Sequence, residues 1–293
     1  MSSQITVKVI SRSSPLAVYQ AEQFRHCLGT ADIDTLLMTK TTVPDRHLDK
    51  PLSAFDKCSF TKEIDQVVKS GAADVAIHSA KDMGVHMPEG LVLLGCLPVS
   101  PYRGDVLVSQ KKMDCWLNLS EGSIIGTGSI RRQHQLNQYA PHYKTMGIRG
   151  NIARRLEYLE QGYDAIIMAK AAWSRLALED SYCSVDLPFI PSANQGMIAA
   201  VIQENSPLRE SLPTLMDLQT TELMLIEKNI VAYLGGDCQM PLGVRAVYQD
   251  GGICLDVEWF HQNKHFCQQI SGQKDAVIQK MKKLIDAFRE GNI

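Results

Sequence analysis

Apolar and polar positions follow two different periods along the first third of the chain. Ile5, Val7 and Val9 alternate with polar residues, the two-residue period of a strand. Ser13 or Ser14 then offers a helix cap with Pro15 in the first turn, and Leu16, Tyr19, Gln20, Phe24 and Cys27 follow at helical spacing. Residues 34–38 predict a second strand, 61–69 a helix with Ile64, Val67 and Val68 inward, and 73–79 (ADVAIHS) a buried strand. Strands separated by helices predict a mostly parallel α/β layer.

A proline-rich passage at 98–101 marks a crossover, and beyond it the same grammar restarts. Strands are predicted at 106–108, 123–126, 144–146 and 164–169, with helices at 129–139, at 152–160 and from 170 through Leu178. A second punctuated stretch, 188–196 (PFIPSANQG), returns the chain toward the first lobe. From about Thr220 the character changes: a helix to Leu234, a Gly-Gly turn, strands GVRAVY and CLDVEWF, and a final helix. In that helix Val277, Ile278, Met281, Leu284, Ile285 and Phe288 make one apolar stripe. The expected fold class is α/β with two lobes of mixed, mostly parallel sheets and a small α+β C-terminal domain. The boundaries expected are 1–99 with a return segment 196–216, 104–192, and 219–293.

Composition narrows the class. With 45% hydrophobic and 21% charged residues among 293, the chain has the balance of a folded soluble protein, which excludes disorder. No stretch approaches the roughly eighteen apolar residues of a spanning helix, and the amino terminus lacks the basic and apolar regions of a secretory signal. Eight cysteines without a CxxC pair are expected to be free thiols. A cytoplasmic protein follows as the expectation. The net charge of −2 gives no global footprint for nucleic acid or membrane, and neither is expected as a partner.

The charges are unevenly placed. Residues 100–178 carry eleven Lys/Arg against six Asp/Glu, and seven of the thirteen arginines: Arg103, Arg131, Arg132, Arg149, Arg154, Arg155 and Arg175. A solvated basic face explains any single one. Arg131 and Arg132, however, fall in the first turn of a helix that Ser129 would cap; Arg154 and Arg155 follow an RGN turn; Arg12 precedes the Ser-Pro start. Cations at helix amino ends are unfavourable by about 0.3–1 kcal/mol each, so their repetition predicts a compensating anion. Such turns lie at the carboxyl ends of strands, where α/β sheets bind ligands, and guanidinium forks match carboxylates. A cleft for a ligand with several carboxylates or phosphates is predicted, phosphate being the less favoured. Neither GxxxxGK[ST] nor GxGxxG is present, so a nucleotide has no support.

Two further units carry chemistry. Asp82 follows the buried strand beside Lys81 and near His78, a placement suited to catalysis that a salt bridge or helix cap explains as well. Cys238, in Gly235-Gly236-Asp237-Cys238-Gln239-Met240-Pro241, is placed on a tight loop where a thiolate could act as nucleophile. His261 and His265 suggest a metal, but with no third ligand indicated a surface loop is expected, and no metal.

In this order the pieces resemble the porphobilinogen deaminase (hydroxymethylbilane synthase) family of tetrapyrrole and heme biosynthesis over essentially the whole chain. The landmarks are Arg12-Ser13-Ser14-Pro15-Leu16-Ala17, Phe60-Thr61-Lys62-Glu63, Asp74 through Asp82, Arg103-Gly104-Asp105-Val106-Leu107-Val108-Ser109, Gly126 through Gln133, Arg149-Gly150-Asn151, Asp164-Ala165-Ile166-Ile167, Gln195-Gly196 and Cys238 through Gly243. The resemblance implies two lobes like periplasmic binding proteins and a transferase that joins four porphobilinogen molecules head to tail, releasing ammonia. It implies a covalent dipyrromethane cofactor on Cys238, held by Lys81, Ser129, Arg131, Arg132 and Arg155. It implies that Arg12, Ser14, Arg149, Arg175, Gln195 and Gly196 serve the incoming unit, that Lys57 and Lys62 lie on a mobile segment, and that Asp82 stabilises azafulvenium cations and relays protons. Arg154 has no family role. A monomer is expected.

The chain departs from the family pattern at Ala80, Gly84, Gly128 and Asp237, where the family usually has a large apolar residue, proline, serine and glycine. Asp237 adds a negative charge beside the thiol. A non-catalytic anion-binding or sensor protein of the same fold is the alternative; retention of both Asp82 and Cys238 speaks against it. A nucleic-acid-binding module has only the local charge behind it.

Overall fold

The computed structural model describes residues 6–47, 59–178, 181–236 and 240–292. In chain order the elements are β1 (Val7–Arg12), α1 (Pro15–Gly29), β2 (Thr35–Lys40), α2 (Val43–Arg46), α3 (Lys62–Lys69), β3 (Val75–Ser79) and β4 (Leu91–Cys96), followed by β5 (Asp105–Ser109), β6 (Ile124–Gly126), α4 (Ile130–Tyr139), β7 (Lys144–Met146), α5 (Ile152–Leu156), β8 (Ala165–Ala169), α6 (Lys170–Arg175) and β9 (Cys183–Leu187). The chain continues through β10 (Ile198–Gln203), α7 (Leu208–Ser211), α8 (Leu218–Tyr233), β11 (Leu242–Gln249), β12 (Gly252–His261), β13 (Lys264–Gly272) and α9 (Lys274–Arg289).

Two compact units result: Met1–Pro101 with Gly196–Glu222, and Tyr102–Gln195 with Leu223–Ile293. Each holds a five-stranded sheet, in the orders β2-β1-β3-β10-β4 and β7-β6-β8-β5-β9. In the first, β1 pairs in parallel with β2 and β3, and β10 runs antiparallel to both β3 and β4. In the second, β6 pairs in parallel with β7 and β8, and β5 runs antiparallel to β8 and β9. Four strands of each sheet therefore share one direction and the fifth is reversed, giving the expected mixed, mostly parallel α/β class. Both reversed strands, β5 and β10, come just after the chain passes from one unit to the other.

Alternation along the strands sends side chains to both faces, and both faces are covered. In the first unit Val7, Val9, Val75 and Ile77 pack with Phe24 and Leu28 of α1, while Ile10, Ala76 and Val201 pack with Ile64 and Val68 of α3. In the second, Leu107, Ile125 and Ile167 meet Leu136 of α4, and Val106, Val108, Ile166 and Met168 meet Trp173 of α6. Burial on both faces explains why ADVAIHS is an unbroken apolar run rather than an alternating one.

Several expectations need adjusting. The helix expected over 152–160 is α-helical only to Leu156 and tightens to a 3-10 turn over Glu157–Glu160; that expected through Leu178 ends at Arg175. Strands β4, β9, β10 and β13 were not predicted. Ser14 and Ser129 occupy the N-cap positions of α1 and α4, but neither side chain makes a capping hydrogen bond. Pro15, with its fixed φ, starts α1 instead. In the final helix Val277, Met281, Ile285 and Phe288 are buried. Six cysteines among the described residues are free thiols. No helix of the described residues is long and apolar enough to cross a membrane.

Candidate active site

In the first unit, β3 is the central strand and its buried run ends at Ser79. The next three residues, Ala80–Asp82, form a 3-10 turn. The fully buried Ala80 anchors this turn by donating its amide to Met197 O at 3.1 Å. Asp82 is thus set, half-buried, at the carboxyl end of a rigid strand, with Lys81 beside it. It lines a cavity with Arg12, Gln20, Phe60, Thr61 and Ser79. Gln20 and Ser79 hydrogen-bond through their side chains at 2.9 Å. His78 also borders the cavity, and its Nε2 lies 2.8 Å from the buried Asp65.

Arg12, the last residue of β1, forks onto Asp45, with Nε to Oδ2 at 3.1 Å and Nη2 to Oδ1 at 2.5 Å. Its guanidinium carbon lies 4.4 Å from the centre of the Phe60 ring. Burial pushes the Asp45 carboxyl up. Arg12 and hydrogen bonds from Thr42 outweigh that, holding it below the usual carboxylate range. The Arg12 head is therefore fixed in direction, with Nη1 not engaged by Asp45. Ser14 is half-buried two residues on.

In the second unit the anion required by Arg131 and Arg132 is in part internal. Asp105, at the start of β5 and buried, accepts from Arg131 Nη2 and Arg132 Nη2, each at 2.7 Å, and from Gln195 Nε2 at 2.9 Å. Arg131 also donates to Ile190 O and Arg132 to Ile167 O. Burial alone would raise the Asp105 carboxyl; the two guanidiniums, with hydrogen bonds from Arg132 and Gln195, hold it far below the carboxylate range. Arg131 lies below its ordinary value because of burial, partly offset by Asp105.

Nε of both arginines is buried without a hydrogen-bond partner among the described residues. An orphaned buried donor costs about 1–3 kcal/mol. These residues fit a carboxylate-bearing group such as the expected cofactor. Asp105 had no role in the sequence reading. Its one sequence signal was the arginine-bearing Arg103-Gly104-Asp105 entry to a buried strand. Arg103 is likewise buried and internal: it donates to Gln195 O, Ala246 O and Glu227. Burial pushes Glu227 up, while Arg103 and the amides of Ala246 and Asn194 pull it back.

The other predicted positions are dispersed over both units. Arg149 is half-buried ahead of α5, whose N-cap Asn151 accepts from the Arg154 amide. Arg155 donates Nε to Gly150 O at 3.0 Å. Arg154 is exposed and paired with Glu157, which accounts for it without a ligand. Ser129 and Arg175 are half-buried at the ends of α4 and α6. Gln195 belongs to the second unit and Gly196, with φ +86°, to the first. Lys62 is exposed at the start of α3. Cys238, Asp237 and Lys57 lie outside the described residues. Of the departures, Gly128 has a local cause: a Cβ there would sit 2.7 Å from Ile148 O. Ala80 fills a fully buried position. Nothing in the structure explains Gly84.

In class, this is a two-unit α/β protein with a strand-end carboxylate in one unit and a buried arginine–carboxylate cluster in the other. Residues 7–210 match the family described as "Porphobilinogen deaminase, dipyromethane cofactor binding domain", and the chain belongs to that family. It is 35% identical over 262 residues to the porphobilinogen deaminase of Prochlorococcus marinus (strain AS9601), covering 85% of this chain and 81% of the relative. It is 36% identical over 259 residues to that of Thiobacillus denitrificans, covering 86% and 84%. Among solved structures, a periplasmic substrate-binding protein of an ABC transporter from Coxiella burnetii overlaps with a TM-score of 0.46 at 12% identity, over 76% of this chain and 96% of that one.

Proposed function

We propose that this chain condenses four porphobilinogen molecules head to tail to hydroxymethylbilane, releasing an ammonia at each joining, and that Asp82 is its catalytic acid–base group. The observation that carries this reading is the Asp82 carboxylate at the end of β3, lining a cavity with Arg12 in a chain of this family. Arg12, oriented by Asp45, presents a guanidinium to the acetate or propionate of an incoming unit. Ser14, Arg149, Arg175, Gln195 and Gly196 complete the proposed substrate set. Asp82, set beside a pyrrole N–H, stabilises positive charge as the amine departs. It also relays a proton to the departing amine and later accepts one from the newly attacked pyrrole carbon.

The cofactor is proposed to be dipyrromethane on Cys238, with Lys81, Ser129, Arg131, Arg132 and Arg155 meeting its acid side chains. When bound it supplies the pyrrole carbon that the first substrate unit joins and a covalent hold on the product. Arg131 and Arg132 each keep a buried Nε donor in place for it, without a partner among the described residues. Residues 219–293 are proposed as a separate anchoring domain beside the domains 1–99 with its return segment 196–216, and 104–192. The test is product stoichiometry: protein from porphobilinogen-producing cells should release four ammonia per hydroxymethylbilane. Failure to consume porphobilinogen would remove the assignment.

A further inference from the structure

β12 and β13 form a tight hairpin whose two-residue turn, Gln262–Asn263, has both φ angles in the left-handed region, at 49° and 61°. Its register pairs Glu258 with Cys267 and Phe260 with His265. Because side chains alternate, Glu258, Phe260, His265 and Cys267 share one face, and Trp259, His261 and Phe266 share the other. On that second face Trp259 and Phe266 pack on Phe288 of α9, and His261 stacks on Trp259 at 4.4 Å. The two histidines that suggested a metal in the sequence therefore point to opposite sides of the sheet and cannot serve one ion.

His265 has other company. Its Nε2 lies 2.9 Å from Glu258 Oε1, and the ligand atoms of Glu258, His265 and Cys267 all fall within 4.8 Å of one another. Around them the supports of a built site are in place. The Glu258 side chain is 1% exposed, and its carboxylate accepts from Tyr139 Oη at 2.7 Å and from the Gln135 amide, both on α4. The Phe260 ring stacks on His265 at 4.5 Å and 9°, fixing the imidazole plane. Hydrogen bonds and packing of this kind orient ligating groups. His265 is partly exposed and Cys267 exposed, which leaves an entry path and room for a solvent ligand.

We propose that Glu258, His265 and Cys267 form a binding site for a divalent cation of the zinc class, clamping β12 to β13. Imidazole nitrogen, thiolate sulfur and carboxylate oxygen together suit a borderline-soft ion. Tetrahedral bond lengths place such donors about 3.5 Å apart, within reach of small side-chain rotations from the observed spacing. On binding, the Cys267 thiol releases its proton to solvent. His265 binds as its neutral Nδ1–H tautomer, so the proton between Nε2 and Glu258 moves, through solvent, to Nδ1 and the cation takes its place on the Nε2 lone pair. One carboxylate and one thiolate then balance the two positive charges.

The test uses the full chain, titrated with zinc and, in parallel, with cobalt. One equivalent should bind. The cobalt form should show a thiolate-to-metal charge-transfer band, and His265→Ala and Cys267→Ser should each abolish the band. Zinc should also suppress alkylation of the Cys267 peptide in the unaltered protein. That measurement needs no variant, so it stands even if a substitution impairs folding. An unprotected Cys267, or a charge-transfer band undiminished in folded Cys267→Ser protein, would overturn the proposal.

Discussion

The Asp105 carboxylate meets Arg131 Nη2 at 2.7 Å with both side chains buried, and its other oxygen meets Arg132 at the same distance. Removing one partner of a buried ionic cluster leaves charge without compensation, which costs about 3–5 kcal/mol. Asp105→Asn leaves two adjacent buried guanidiniums facing an uncharged amide. Its urea unfolding free energy should fall by that amount, and a loss under about 1 kcal/mol, the range of exposed pairs, would show that the cluster is not the keystone of the second unit.

Asp45 gives the first unit an acid sensitivity of defined sign. Its folded-state carboxyl lies below the ordinary carboxylate value. The stabilisation is therefore complete above the unfolded value of about 3.9 and drains away as pH falls through it toward the folded value. Asp45→Asn should lower stability at neutral pH and flatten its decline below about pH 4. Parallel acid-denaturation curves of variant and parent would contradict this.

Gly128 is fitted to this chain's own loop. Restoring the residue usual in the family, Gly128→Ser, puts a Cβ against Ile148 O, and overpacking of this kind costs about 1–3 kcal/mol. A lower melting temperature is expected; a higher one would mean that the loop accommodates the side chain freely.

Asp82 is half-buried at a turn held by Ala80. Asp82→Asn should therefore leave the melting temperature within a degree or two of the parent, while turnover falls by about 10²–10⁴-fold, as for loss of a general acid–base group. Near-normal turnover in a folded variant would remove Asp82 from the chemistry.

The parts of the fold that were legible in the sequence are those where burial follows one rule. β1 alternates at its start because Val7 and Val9 pack with α1 while Lys8 between them is exposed, and β3 reads as a continuous apolar run because it is the central strand with both faces covered. The edges were harder. β9 is short and mostly half-buried, and in β13 only Phe266 and Ile270 are fully buried, so a two-residue period never emerges. Strand direction leaves no trace in periodicity, which hid the reversal of β5 and β10. Arg131 and Arg132 were legible through their misfit with a helix amino end. Asp105 was not, because its partners lie 26 and 27 residues away.

Intact mass of the protein made in porphobilinogen-producing cells tests the central claim most directly. The account predicts an increment equal to two condensed porphobilinogen units, after loss of their amines, and no increment in Cys238→Ala. An unmodified parent chain, or the same increment in the alanine variant, would contradict it.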